Sequence, residues 1–238
     1  MRFIKSDRLY CFSPPIMIIT FLLELTFAVY IVFRYKLTSV SRIAVLTLVG
    51  LAIFQLAEFN ICETAWGVDS LTWARIGYVA ITFLPPLGLH LAMNIAKRKN
   101  TKLLVAAYAS AIVFACIFLF VGQGLSGEQC LGNYVIFKIA PWAVWPYVIY
   151  YYLLLFVAVV YSLYFARHSK KKEIKMALYM LALGYASFIV PTTILNLIDP
   201  TTVAGIPSIM CGFAIILAAI VTGRVVPLYY RAASNTKK

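Results

Sequence analysis

The sequence predicts an all-α membrane protein, a bundle of seven transmembrane helices. Of its 238 residues, 63% are hydrophobic and only 12% are charged, whereas soluble domains are roughly half apolar. Seven apolar stretches follow one another with short polar loops between them, and each is long enough, at about 20 residues, to cross a bilayer. The stretches use nearly the whole chain, so we expect a single transmembrane domain over residues 1–238.

The first span is predicted to begin directly after a short, partly basic leader, residues 1–12. Ser13 can cap this helix, and Pro14-Pro15 can occupy its first turn. A cleaved signal peptide is the alternative interpretation. The apolar run is too long for one, contains Glu24 and lacks a small-residue cleavage site.

The remaining spans are separated by polar or basic loops. Ser70 could cap the third helix before it enters the membrane, and Pro146 is expected to open the fifth span after a long loop, residues 123–145. The seven spans are predicted at residues 14–33, 43–62, 76–96, 103–122, 146–165, 177–198 and 206–226.

The distribution of positive charge predicts the orientation. Sixteen of the 21 lysines and arginines lie next to the ends of spans one, three and five or in the last part of the chain, from Arg224 onward. Because cytoplasmic loops retain positive charge, the N-terminus is predicted outside and the C-terminus in the cytoplasm of a cell that carries this multi-pass protein in its plasma membrane. Three basic residues of the leader oppose this orientation but are outnumbered.

A net charge of +13 does not indicate nucleic-acid binding here, because the cations lie next to the membrane, where anionic lipids are the nearest partners. The run Lys170-Lys171-Lys172 could also contact an acidic cytoplasmic protein.

The five cysteines fall into two groups. Cys116 and Cys211 lie inside spans and are expected to be packing residues. Cys11, Cys62 and Cys130 are predicted on the outer side, where an oxidising environment permits a disulfide. A bridge between Cys62 and Cys130 would fix the long loop over the bundle, although the spacing alone does not determine the pairing. No cysteine or histidine spacing indicates a metal site, and no cofactor is expected.

Several polar residues lie inside the spans. Glu24 is near the middle of span one, where a carboxylate must be protonated, paired or directed into a cavity. Glu58 shares a helix face with Gln55 and Cys62 and lies nearer the outer end, where water could reach it.

The third span carries a polar stripe with a period of four residues, which is expected to face the bundle. Its members are Tyr78, Thr82, Pro86, His90 and Asn94. The alternative to a functional role for these groups is that they form hydrogen bonds between helices, the usual role of polar residues in membrane bundles.

Prolines interrupt two spans. Pro85-Pro86 and Pro191 each remove backbone hydrogen bonds and bend the helix, either as a hinge or as a fixed shape. Thr192 and Thr193 could bond the carbonyls that Pro191 leaves free.

The tryptophans Trp66, Trp73, Trp142 and Trp145 lie at the outer boundary, where an aromatic belt is expected. With Glu58, Arg75 and Tyr78 they could instead line an outward-facing ligand pocket, and we predict ligand binding by Glu58, Arg75, Tyr78, Trp66, Trp73 and Trp142.

Several classes of membrane protein are disfavoured. No span contains an interior lysine that could hold retinal, no DRY or NPxxY motif indicates a rhodopsin-type receptor, and protease signatures such as HExxH and GxSxG are missing. We therefore expect that the chain is not an enzyme.

The region from Trp73-Ala74-Arg75 through Tyr78 and Phe83-Leu84-Pro85-Pro86 to Leu89-His90 resembles the N-terminal seven-helix region of bacterial sensor histidine kinases. This resemblance implies a sensory input module that detects an external or membrane-borne ligand, a small molecule or a lipid. Only PLYYRAASNTKK follows Val226, so the expected output is a separate cytoplasmic protein or a homodimer, or else the chain is the sensor part of a longer protein.

Two other functions are alternatives to a sensor. A small transporter or proton-coupled carrier could use Glu24, Glu58 and His90 as titrating groups. A membrane scaffold could pack another protein against the face formed by Ala107, Ala111 and Ala115.

Overall fold

The computed structural model describes residues 14–63, 66–122, 124–130, 135–199 and 205–235. The elements in chain order are α1 (Pro14–Arg34), α2 (Ser39–Glu63), α3 (Ser70–Thr82), α4 (Leu84–Ala96), α5 (Thr101–Phe120), β1 (Leu125–Cys130), β2 (Val135–Ile139), α6 (Pro141–His168), α7 (Lys172–Ile198), α8 (Ile206–Ile220) and α9 (Val226–Ser234). A π-helical turn, Val221–Val225, joins α8 to α9. The predicted leader, the Ser13 cap and Cys11 lie outside the described residues.

Seven helical segments are long and apolar enough to cross a membrane, which confirms the predicted number of spans. The third span combines α3 with α4, and the seventh combines α8, the π-helical turn and α9. Five spans begin earlier than predicted, at α2, α3, α5, α6 and α7. The cap of α3 is Asp69 rather than Ser70, and its carboxylate accepts a hydrogen bond from the backbone N–H of Thr72 at 2.8 Å. Helix α6 begins at Pro141, so Pro146 lies inside it.

The centre of the bundle is formed by α2 and by the span that contains α3 and α4. The apolar windows of these two spans are 61% and 67% buried, against 28% for α1 and 22% for α5. Helix α2 packs along α1, α3 and α4, and α4 also contacts α6 and α7. The proline pair is therefore surrounded by protein, where neighbouring helices can satisfy its polar groups.

The residues between α5 and α6 form an antiparallel hairpin, β1 with β2, where the sequence predicted a loop. Val135 and Phe137 of β2 are buried and Lys138 is exposed, as the two-residue period of a strand requires. The ring centroid of Phe137 lies 4.9 Å from that of Tyr78 in α3 and 5.8 Å from that of Phe54 in α2. The hairpin is thus fixed on one end of the bundle, called the hairpin end below.

Candidate functional site

A cavity of about 500 Å³ lies at the hairpin end, between the hairpin and three helices. A volume of this size falls in the range of sites for small ligands. Its wall is formed by Tyr78 and Ile81 of α3, Ile136, Phe137, Lys138 and Ile139 of β2, Val144, Tyr147, Val148, Tyr151 and Tyr152 of α6, and Ile206, Pro207 and Met210 of α8.

Tyr78 connects the walls of this cavity. Its side chain is buried, and its ring contacts Phe137 of the hairpin, Tyr147 of α6 and Phe118 of α5 at centroid distances of 4.9, 5.7 and 5.0 Å. Aromatic pairs at these distances add stabilisation beyond the area that they bury. A ligand beside Tyr78 would therefore touch the centre of an aromatic cluster that joins the hairpin to the bundle.

A chain of hydrogen bonds leads from the hairpin to the interior of the bundle. The backbone N–H of Val135 donates to the Ser208 hydroxyl at 3.2 Å, and Ser208 also hydrogen-bonds to the Glu58 carboxyl. Val135 directly precedes the cavity-lining residues of β2, and Ser208 directly follows Pro207 of the cavity wall. One hydroxyl group thus joins the wall of the cavity to an interior carboxyl.

The carboxyls of Glu24 and Glu58 lie inside the bundle, with 0% and 1% of each residue exposed. The expectation that water reaches Glu58 is therefore wrong, because the helices and the hairpin cover it. The two carboxyls, on neighbouring helices, are close enough to interact electrostatically. Within the described part of the chain, neither oxygen of Glu24 has a hydrogen-bond partner. These are interior groups, and Ser208 is the connection from Glu58 to the cavity wall.

The helix break predicted at Pro85-Pro86 lies at Phe83, between α3 and α4. Proline has no N–H, so Pro86 leaves the carbonyl oxygen of Thr82, four residues earlier, without its helical donor. The Tyr150 hydroxyl of α6 donates to this oxygen at 2.6 Å. A neighbouring helix therefore satisfies the break, and motion about the proline pair stays a prediction.

Pro191, the other predicted hinge, lies inside a continuous α7. The hydroxyls of Thr192 and Thr193 donate to the carbonyls of Phe188 and Ile189, each at 2.8 Å. Pro191 frees the carbonyl of residue 187, four residues earlier. The threonine hydroxyls bond the two carbonyls that follow it, so the prediction that they satisfy the freed carbonyl is wrong.

The structure separates the residues that were predicted to bind a ligand. Of that set, Tyr78 alone lines the cavity. The rings of Trp66 and Trp73 lie 5.6 Å apart, and Trp66 and Trp142 are exposed, as in an aromatic belt. The Nε of Arg75 is buried without a partner among the described residues. Ligand contact by these four side chains and by Glu58 stays a prediction.

Sequence reasoning missed most of the cavity wall. Tyr147 and Tyr151 are four residues apart in α6, a spacing that places them on one helix face, and this repeat was the available signal. Phe137 and Ile139 were assigned to a loop, and Met210 has no distinguishing pattern in its apolar surroundings.

The other residues of the polar stripe in the third span also face the bundle, as predicted. Thr82, Pro86 and Asn94 are buried, and His90 is half-buried. The Nδ1 of His90 lies 3.1 Å from the Tyr108 hydroxyl of α5, a hydrogen bond between helices. The Nδ2 of Asn94 has no partner among the described residues.

Cys62 is disulfide-bonded, whereas Cys116 and Cys211 are free. The side chain of Cys130 lies outside the described part of the structure, so its predicted pairing with Cys62 stays a prediction. Among the described residues, no group of three or more His, Cys, Asp or Glu side chains could hold a metal ion.

Comparison with known proteins assigns the family. No curated protein matches the chain. The profile of the family described as the N-terminal 7TM region of histidine kinase matches residues 16–225. This match includes most of the residues of every span and all residues that line the cavity. The chain belongs to the family of N-terminal seven-transmembrane regions of histidine kinases.

Proposed function

We propose that this membrane sensory region receives a small ligand in the cavity at the hairpin end and passes the signal to a cytoplasmic partner through α9. The observation that carries the proposal is the composition of the cavity wall, because β2, α3, α6 and α8 all contribute to it. A ligand there contacts four elements at once and can change their relative positions.

Helix α8 is the proposed transmitter. Ile206, Pro207 and Met210 near its beginning line the cavity, and the same span continues through the π-helical turn into α9. Helix α9 packs against α7, and the ring of Tyr230 in α9 lies 5.5 Å from that of Tyr35 after α1. A displacement at the beginning of α8 therefore reaches the opposite end of the bundle along one continuous helical segment.

The π-helical turn supports this route. Such turns are rare and occur often at functional sites, and this one contains Gly223, where an added Cβ would meet no atom within 4 Å. The proposal assigns to this turn the change of helix rotation that carries the signal into α9. The proposal assigns no catalytic step to this chain, and the distribution of positive charge supports a cytoplasmic position for α9.

A ligand shifts a protein only between states that it binds differently. The test is therefore to fill the cavity and to measure the position of α9. Val148→Trp places a large side chain in the cavity, and Ile149→Trp is the matched control, since Ile149 is the next residue of α6 and is exposed. Spin labels at positions 36 and 234, both exposed, report the distance from the α1–α2 loop to α9 in a Cys11→Ser, Cys116→Ser background, which keeps the predicted Cys62–Cys130 pair.

We expect that Val148→Trp changes the distance distribution between the labels in nanodiscs and that Ile149→Trp leaves it as in the parent protein. If both variants give the parental distribution while remaining folded, filling the cavity does not move α9, and the proposed coupling is wrong. If both variants shift it equally, the effect comes from an added tryptophan and not from the cavity.

A further inference from the structure

A second, smaller cavity lies inside the bundle, behind the wall of the first. Its volume is about 20 Å³, which is enough for a group the size of a water molecule or a methyl group. Residues of α2, α4, α6, α7 and α8 line it, among them Leu84, which directly precedes the proline pair. We call this space the inner cavity and the cavity of about 500 Å³ the outer cavity.

The surface of the inner cavity is almost entirely apolar. Of the described residues that line it, none has a charged side chain, and the Thr47 hydroxyl donates to the carbonyl oxygen of Ile43 in its own helix at 2.9 Å. A buried water needs about two to four polar partners, and cavities with apolar walls stay dry. The inner cavity therefore suits a hydrocarbon group better than a water molecule.

Two side chains separate the inner cavity from the outer one. Tyr151 of α6 and Met210 of α8 line both cavities. Methionine is unbranched and flexible, so a rotation of the Met210 side chain can join the two spaces. The outer cavity then continues between α6 and α8 into the centre of the bundle.

The opposite side of the inner cavity is held by close contacts between helices. A Cβ at Gly88 in α4 would lie 2.0 Å from the hydroxyl oxygen of Tyr185, and a Cβ at Gly184 in α7 would lie 2.6 Å from Cδ1 of Leu217. Tyr185 and Leu217 both line the inner cavity. Because the helices already touch there, and packed interiors resist deformation, the inner cavity can accept only the narrow end of a ligand.

We propose that the inner cavity binds the terminal methyl group of an unbranched alkyl chain that enters from the outer cavity past Met210. A chain in this position contacts α2, α4 and α7 in addition to the elements of the outer wall. This inference rests on the proposed function, because it names the ligand class of the same site. The chain can belong to a free single-chain molecule or to a lipid of the bilayer, and the experiment separates these sources.

The thiol of Cys211 reports on the inner cavity. Cys211 is free, buried and part of the wall, whereas Cys116 of α5 is free, exposed and lines neither cavity. Methyl methanethiosulfonate converts a thiol to a methyl disulfide and releases methanesulfinate. Mass spectrometry of the peptides measures the rate at both cysteines in one sample, so Cys116 is the internal reference. The protein is held in nanodiscs of diphytanoyl phosphatidylcholine, whose chains are methyl-branched.

Two neutral alcohols of equal carbon number compete with the reagent: dodecan-1-ol is unbranched, and 2-(1-adamantyl)ethanol carries a rigid hydrocarbon cage. We expect dodecan-1-ol to lower the rate at Cys211 about ten-fold at about ten times its half-saturating concentration and to leave the rate at Cys116 unchanged. The caged alcohol should protect neither cysteine, because the cage is too wide to pass Met210.

Variants of the partition and of the outer cavity test the route. In Met210→Ala the reagent should reach Cys211 faster, and the caged alcohol should protect as well. Met210→Leu nearly conserves the volume and should behave as the parent. Val148→Trp, which fills the outer cavity, should slow the modification of Cys211, and Ile149→Trp should not.

Nanodiscs of dimyristoyl phosphatidylcholine, whose chains are unbranched, distinguish the sources of the chain. If the rate at Cys211 relative to Cys116 is lower there than in the branched lipid, a bilayer lipid occupies the inner cavity. If the relative rates are equal and dodecan-1-ol protects, the ligand is a free single-chain molecule. Both results support an unbranched chain.

Four results would overturn the inference. Equal protection of Cys211 by both alcohols in the parent would show a wide site without selection for a straight chain, and protection by neither would show that no alkyl chain reaches it. No reaction of Cys211 in the parent or in Met210→Ala would show that the cavities do not connect. An unchanged rate in Val148→Trp would show entry by another route.

The comparison of the two alcohols uses the parent protein, so it decides the inference even if Met210→Ala does not fold. The spin-label measurement decides the proposed function separately, because it requires no ligand.

Discussion

Replacing Tyr150 by Phe removes one hydroxyl group and leaves the carbonyl oxygen of Thr82 without its donor. The ring remains, so its contacts with Phe114 and Tyr147, at centroid distances of 4.9 and 5.9 Å, are retained. The helix supplies no replacement donor, because Pro86 stands four residues after Thr82 and has no N–H. The substitution therefore isolates a single hydrogen bond at the helix break.

Two known ranges of free energy set the expected loss of stability. A buried polar group without a partner costs about 1–3 kcal/mol, while interhelical hydrogen bonds in membrane bundles average about 0.6 kcal/mol and reach about 1.7 kcal/mol. The bond at 2.6 Å is short and Tyr150 is 8% exposed, so we expect a loss of about 1–2 kcal/mol. Tyr185→Phe is the matched control, because Tyr185 is buried and shows no hydrogen bond from its hydroxyl in the described part of the chain.

A double-mutant cycle with Pro86→Ala gives the decisive comparison. Alanine restores an N–H that can donate to the Thr82 carbonyl, so Tyr150→Phe should cost about 1 kcal/mol less in that background. Equilibrium unfolding in mixed micelles measures all four proteins. If Tyr150→Phe costs the same with proline and with alanine at position 86, or costs no more than Tyr185→Phe, the hydroxyl does not compensate for the proline.

Three further outcomes are expected. In Gly88→Ala the new Cβ would lie 2.0 Å from the hydroxyl oxygen of Tyr185, so thermal unfolding should show a loss of about 1–3 kcal/mol, smaller in a Tyr185→Phe background; an equal loss in both would contradict the clash. Hydrogen bonds from the Thr72 hydroxyl and N–H hold the pKa of Asp69 below its ordinary value of 3.8. The stabilisation by the carboxylate is present above that value and is lost as the pH falls through the lower folded value. The protection factors of the amides at the beginning of α3, which are corrected for the intrinsic pH dependence of exchange, should therefore fall with acid in the parent but not in Asp69→Asn. If Cys62 pairs with Cys130, a serine substitution at either position should lower the midpoint of thermal unfolding by the same amount, and the double substitution should lower it no further. Unequal or additive effects would point to another partner for Cys62.

The spans were predictable because they depend on composition and length alone. About twenty apolar residues cross a bilayer whatever their tertiary neighbours are, and the loops between such runs are visible as polar interruptions. The break at Pro85-Pro86 was predictable for an equally local reason, since a proline removes its own hydrogen bond. The four-residue period placed Tyr78 toward the bundle, where it lines the cavity.

The other features depend on contacts between residues that are distant in sequence. The strand of Val135 and Phe137 is too short for its alternation to be distinguished from a loop, and it is fixed by packing on Tyr78 and Phe54. The bond from Tyr150 to Thr82 joins positions 68 residues apart. Likewise, nothing local marks a serine as the link between a hairpin and a buried carboxyl.

Two links between parts of the bundle differ in strength: the first joins α6 to the α3–α4 span, and the second joins the hairpin to α8. This difference indicates where a signal can pass. At the helix break, the Tyr150 bond and the aromatic contacts of Tyr147 hold α6 against the α3–α4 span. Between the hairpin and α8, the Ser208 hydroxyl provides a hydrogen bond at 3.2 Å, and such a bond is worth about 0.5–1.5 kcal/mol. Coupling between sites requires differential energies of about 1–3 kcal/mol, so a ligand that rearranges this second link can supply a large part of the energy. We therefore expect the beginning of α8, rather than the proline pair, to respond first when the cavity is occupied.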